Sequence, residues 1–238
     1  MNIFYLNLKE YFLRYFNISL ALLIILSLSI SGTVVVLASA TSSFTQVINP
    51  GTLSVDIVNA SYESVASPSV ALSTATFSFS CQTSTGTFGT NTERIYITNP
   101  DAADSGWAVS LAAASPTSTW VGTGSTFDFN DPTTSGCTDS GSDSDSVGGQ
   151  MTVNPASSTL AVGNCASCST GNVSLGSQSA FSEVAPVVNS ITILTGAANS
   201  DDIGDWRLTG VSISQKIPAE QKAASDYTLS LTLSIVAS

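Results

Sequence analysis

The sequence predicts an all-β protein: a single antiparallel β-sandwich, jelly-roll-like in its strand count, behind an N-terminal signal peptide. Three observations predict it. Period-2 alternation of apolar and polar residues recurs after residue 40, while no stretch there repeats apolar residues at helical spacing over three turns. Ser and Thr make up nearly a third of residues 41–238; Thr suits the wet face of a strand and Ser suits turns. Gly, Pro, Asn and Asp then divide the chain into short segments.

Residues 1–40 read as the signal peptide. Lys9 and Arg14 precede an apolar run from Ile18 to Leu37, which ends in Ala38-Ser39-Ala40, a small-x-small cleavage signature. At roughly 20 residues the run is long enough to span a bilayer if it stays uncleaved, and this is the one route to membrane contact. Ser27, Ser29, Ser31 and Gly32 interrupt it, and cleavage is the expected outcome. Residues 41–238 then form one domain, of a size at which an all-β sandwich stays single.

The strands follow from alternation and its interruptions. Val70 and Leu72 lie on one parity and Phe77, Phe79 and Cys81 on the other; Ile95 and Ile97 alternate with Tyr96 and Thr98. Tyr227, Leu229, Leu231, Leu233 and Ile235 form a strict period-2 series, which buries one face and wets the other. Expected strands cover 51–58, 68–81, 93–99, 106–113, 125–129, 149–154, 171–175, 189–195, 205–215 and 224–236. Turns at Asn99-Pro100-Asp101, Ser135-Gly136, Gly148-Gly149, Asn154-Pro155 and Ile217-Pro218 separate them. Ala219–Ala224 is too short for more than a loop, and the Ser/Asp/Gly-rich stretch 132–148 reads as a long acidic loop inside the domain.

Composition removes whole classes of function. The chain has 6 Lys+Arg against 17 Asp+Glu, a net charge of −11, which excludes a nucleic-acid binder reliant on a basic face. It has no His, so the Ser-His-Asp and Cys-His nucleophile systems and the usual zinc sites are absent. Asp104-Ser105-Gly106 and Asp139-Ser140-Gly141 echo the paired motifs of aspartic proteases, but neither follows an apolar strand and both read as turns. The expectation is no enzyme.

Glu93-Arg94-Ile95-Tyr96-Ile97-Thr98-Asn99 leads through an Asp-containing turn to Gly106-Trp107-Ala108-Val109-Ser110-Leu111. Near the end, Ile217-Pro218-Ala219 leads through Asp226-Tyr227 to Thr228-Leu229-Ser230-Leu231-Thr232-Leu233. This order resembles the WxL domain of Gram-positive cell-surface proteins, although Leu233 stands where that family closes with Trp. The resemblance implies a secreted β-sandwich-like domain that binds peptidoglycan non-covalently.

Three sets of residues are candidates for chemistry. The cysteines Cys81, Cys137, Cys165 and Cys168 are even in number and bound for an oxidising compartment, which favours two disulfides over a zinc site or a redox pair. Three pairings are possible; Cys81–Cys137 with Cys165–Cys168 is preferred, because Cys165 and Cys168 are too close to avoid each other. Asp128 and Asp131, with Asn130 between them, and then Asp139, Asp143 and Asp145, place oxygens at intervals that can converge on calcium, although the spacing is not that of an EF-hand. Asp201, Asp202 and Asp205 form a lesser cluster. Among the aromatics, which mostly fill cores, Trp107 and Trp206 open strands and are the first choices for a wet, ligand-facing surface.

The expected function is that of a secreted, non-enzymatic bacterial cell-surface domain, structural or adhesive. Its expected partner is a cell-wall polymer or another surface protein, and calcium is the one cofactor the sequence offers. The alternative is a self-associating subunit of an extracellular fibre or surface layer, with Phe44–Val58 as a strand donated to the next copy.

Overall fold

A computed structural model describes residues 2–31, 43, 45–47, 49, 51–100, 105–143, 146–198 and 203–237. The cleavage signature at Ala38–Ala40, Phe44, Asp104, Asp145, Asp201 and Asp202 lie outside the described residues. The chain divides into two units, Met1–Ile48 and Asn49–Ser238. The first contains one helix, α1 (Asn2–Ser31). Its segment Lys9–Ser27 is long and apolar enough to cross a membrane, and the helix is compatible with a signal peptide.

The second unit is an all-β sandwich built from antiparallel sheets. Its strands are β1 (Ser54–Val58), β2 (Gln82–Phe88), β3 (Arg94–Asn99), β4 (Trp107–Ala113), β5 (Trp120–Gly122), β6 (Ser125–Phe127) and β7 (Gln150–Asn154). They continue as β8 (Thr159–Val162), β9 (Val173–Leu175), β10 (Ser179–Ala180), β11 (Ser190–Gly196), β12 (Gly204–Thr209), β13 (Val211–Ile217) and β14 (Leu231–Ala237). Three four-stranded sheets run β1-β3-β12-β8, β10-β7-β13-β2 and β14-β4-β11-β9, and β5 pairs with β6 in a small ribbon.

Alternation places the core. Ile95 and Ile97 of β3, Trp107, Val109 and Leu111 of β4, Met151 and Val153 of β7, Trp206 and Leu208 of β12, and Val211 and Ile213 of β13 all point inward and are buried. They merge into one cluster drawn from all three large sheets. Within it the Trp107 and Trp206 rings pack at 5.3 Å between centroids, tying the sheet of β4 to that of β12.

The structure departs from the expected strands in several places, and β5, β8 and β10 fall on segments where no strand is expected. The segment 68–81 is not a strand: apart from one bridge between Leu72 and Gly86 it is irregular, and the strand lies just beyond it, at β2. β2 reads as polar because its inward positions are Ser84, Gly86 and Phe88. Leu72 fills the space over Gly86, where a Cβ would come within 2.6 Å of its side chain. The expected strand 205–215 breaks at Gly210, whose φ of +84° suits glycine and turns the chain from the sheet of β12 into that of β13. The last strand begins at Leu231, while Tyr227 and Leu229 precede it; Thr228 makes an isolated bridge to Val121. Residues 54–58 of the expected donor strand are already paired in β1 with β3 of the same chain, Ser54 opposite Thr98 through Val58 opposite Arg94.

Candidate metal centre

The chain leaving β6 runs through Asp128, Phe129, Asn130 and Asp131, all buried. It lies between two other segments in extended contact. Asp128 N donates to Gly148 O at 3.1 Å, and Asp131 N to Gly149 O at 2.9 Å. On the other side Glu183 N donates to Asn130 O at 3.0 Å. The acidic loop thus leaves at Asp131 and returns at Gly148-Gly149 to the same place. Gly149, at φ +149°, permits the return: a Cβ there would lie 1.9 Å from the Asp128 carbonyl oxygen.

Apolar packing holds this patch from below. Phe129 and Phe181, both fully buried, meet edge to face at 5.1 Å. Gln215, also fully buried, donates from Nε2 to Asp128 O at 3.0 Å and accepts from Trp120 Nε1 at 3.0 Å. The Cys81–Cys137 disulfide fastens the loop to the residue that precedes β2.

Three carboxylates converge above that floor. One oxygen each of Asp128, Asp131 and Glu183 lies within 4.8 Å of the others. Ser140 N donates to Asp131 Oδ1 at 3.1 Å, and Ser140 Oγ donates to Glu183 Oε1. Asp131 Oδ2 and Asn130 Oδ1 are buried and receive no hydrogen bond. Burial, the facing Asp131 carboxyl, and the charges of Asp131, Asp143 and Asp139 push the Glu183 carboxyl up to about 8.

That shift sets a pH dependence. Without divalent cations the folded chain keeps a proton on Glu183 that the unfolded chain releases above its ordinary value of 4.5. Stability therefore falls as pH rises from 4.5 through about 8. The denaturant midpoint is expected to drop across that window, and Glu183→Gln to flatten the drop. An equal slope in the variant would rule the effect out.

Of the five Asp expected to gather here, the structure brings Asp128 and Asp131 to the centre and sets Asp139 and Asp143 close enough to act on Glu183. Asp145 lies outside the described residues. Asp139 Oδ1 accepts from Gly141 N at 3.1 Å, so its Asp-Ser-Gly forms a turn as expected. Glu183 had no sequence signal, being an isolated acid far along the chain from the others.

The remaining candidates resolve differently. Both preferred disulfides form, with Cα–Cα distances of 5.5 Å. Cys165, Cys168 and Asp205 also gather within 4.8 Å, but the sulfurs are bonded to each other and offer no thiolate. Asp205 is engaged by Cys165 N at 2.8 Å and by the Tyr96 hydroxyl. Burial, followed by the Asp205 carboxylate, raises the Tyr96 phenol above its ordinary range. Trp107 and Trp206 are not a ligand surface. They are 1% and 0% exposed, and Trp206 Nε1 donates to Ser169 O at 2.8 Å. Opening a strand did not keep them wet, because each stands at an inward position of its sheet. Phe77 and Phe79 on the irregular 68–81 segment are exposed instead.

A cleft of about 600 Å³ opens elsewhere, between 68–72 and 227–233. The core residues Phe88, Leu111, Met151 and Ile213 line it, with Leu231 and Leu233 on the β14 side.

The chain matches no family model, no curated protein and no solved structure.

Proposed function

We propose that the chain is an exported, non-enzymatic domain of a bacterial cell surface, with a structural or adhesive role and a non-covalent hold on a cell-wall polymer. One observation carries this reading: all four cysteines are paired in disulfides, in a chain that opens with an apolar helix. Disulfides form and persist in oxidising compartments, and an apolar N-terminal helix is the kind of segment that delivers a chain there. The wall as partner rests on the WxL-like order of Glu93–Leu111 and Ile217–Leu233.

The second reading is a fibre or surface-layer subunit, and the cleft favours it. Core residues of two sheets line its floor beside a strand at a sheet edge, a setting that an extended apolar segment from a second copy would complete.

Sedimentation separates the two. The purified full chain, in mild detergent, is expected to pellet with purified peptidoglycan, and the unbound fraction to be monomeric. A chain that stays in the supernatant sinks the wall reading. Salt-resistant oligomers that vanish on deletion of residues 41–53, which leaves β1 in place, would establish the fibre in its stead.

A further inference from the structure

We infer that Asp128, Asp131 and Glu183 hold a calcium ion, and that this ion fastens the acidic loop and the 181–183 segment to the sandwich. The inference does not depend on the wall or the fibre, and each can fail without the other.

The convergence is the first ground. Two oxygens that each touch one calcium at roughly 2.4 Å stand no more than about 4.8 Å apart. The three carboxylate oxygens fall within that limit. Glu183 comes from a segment far along the chain from Asp128 and Asp131, so local turn geometry did not bring it to them.

The second ground is the buried oxygen left unserved. Asp131 is 0% exposed, and its Oδ2 receives no hydrogen bond. Burying such an atom costs several times what an ordinary hydrogen bond contributes, unless a cation or proton meets it. A proton shared between Asp131 and Glu183 satisfies one contact between those two carboxylates and no more. Asp139 and Asp143 add further negative charge around Glu183. A divalent cation meets both the buried Asp131 oxygen and the negative charge around Glu183.

The donor set selects the ion. The three candidate ligand atoms are all carboxylate oxygens, and the side-chain carbonyl Asn130 Oδ1 is buried on the same segment. The chain has no His, and its cysteines are all bonded, so soft and borderline metals lack their ligands. Calcium accepts the irregular, loop-derived shell of acids, carbonyls and water that remains, whereas magnesium demands a near-ideal octahedron.

Calorimetric titration of the full chain in mild detergent with calcium chloride tests this. One ion per chain is expected, with a Kd of about 10⁻⁴–10⁻³ M or tighter, the range of extracellular modules. The thermal midpoint should rise on saturation. Glu183→Gln and Asp128→Asn should each weaken binding at least tenfold, while Asp56→Asn, at an exposed acid, should leave it unchanged. Circular dichroism checks that each variant is folded. Should both site variants unfold, the titration of the parent chain still decides. No saturable uptake, uptake that survives Glu183→Gln, or equal affinity for magnesium would overturn the assignment.

Discussion

Trp206→Ala is expected to cost about 3–5 kcal/mol, the range for deleting a fully buried large side chain from a core that cannot collapse around the space. Every feature of the site favours the upper part of that range. The ring is 0% exposed and packs on Trp107 from another sheet. Its indole nitrogen serves the Ser169 carbonyl at 2.8 Å, which would lose that donor. Backbone pairing on both flanks of β12, Trp206 opposite Ile97 and opposite Val162, keeps the neighbours from closing in. Since domains of this kind are stable by about 5–15 kcal/mol, the variant should lie near its unfolding midpoint at modest denaturant. Guanidinium unfolding of the full chain measures it. A loss below about 1 kcal/mol would mean that the two tryptophans do not join the sheets as described.

Removing the Cys81–Cys137 bond is the other change with a large expected effect. The two cysteines are 56 residues apart, and opening a loop of that length returns about 4 kcal/mol of chain entropy to the unfolded state. The loss should fall unevenly. Cys137 sits in the acidic loop that supplies Asp131 and Ser140, so the double variant Cys81→Ser with Cys137→Ser should free that loop from the β2 side. By contrast Cys165–Cys168 closes only three residues, and its loss should cost far less. Unfolding midpoints of the two double variants give the comparison. Equal losses would show that loop length is not what the bonds contribute.

The β character of the chain was legible because alternation is a local property. Ile95-Tyr96-Ile97 and Trp107-Ala108-Val109-Ser110-Leu111 state their inward faces directly, and both became strands in that phase. The same signal misled at 68–81. Phe77 and Phe79 alternate correctly yet are exposed, because the pairing partner of β13 is the polar strand beside them. A strand covered by another segment needs little apolar surface of its own, and alternation cannot report that cover. The disulfide pairing was legible for a different reason: Cys165 and Cys168 are neighbours, which leaves Cys81 and Cys137 to each other.

The candidate site was half legible. Asp128 and Asp131 stand out as closely spaced acids, but nothing near Glu183 marks it, since its nearest sequence neighbours are Ser182 and Val184. It reaches the centre because Phe181 anchors its segment against Phe129. Composition and local pattern thus determined the class of fold, the apolar N-terminal segment, the Cys165–Cys168 pair and, by elimination, its fellow, and two of the three acids at the site. Tertiary structure alone decided which aromatic rings lie inside, which sheets the tryptophans join, and which distant carboxylate meets Asp128 and Asp131. Those outcomes depend on pairing between segments many residues apart, where the register of one strand against another, and not the pattern within either, sets what touches what.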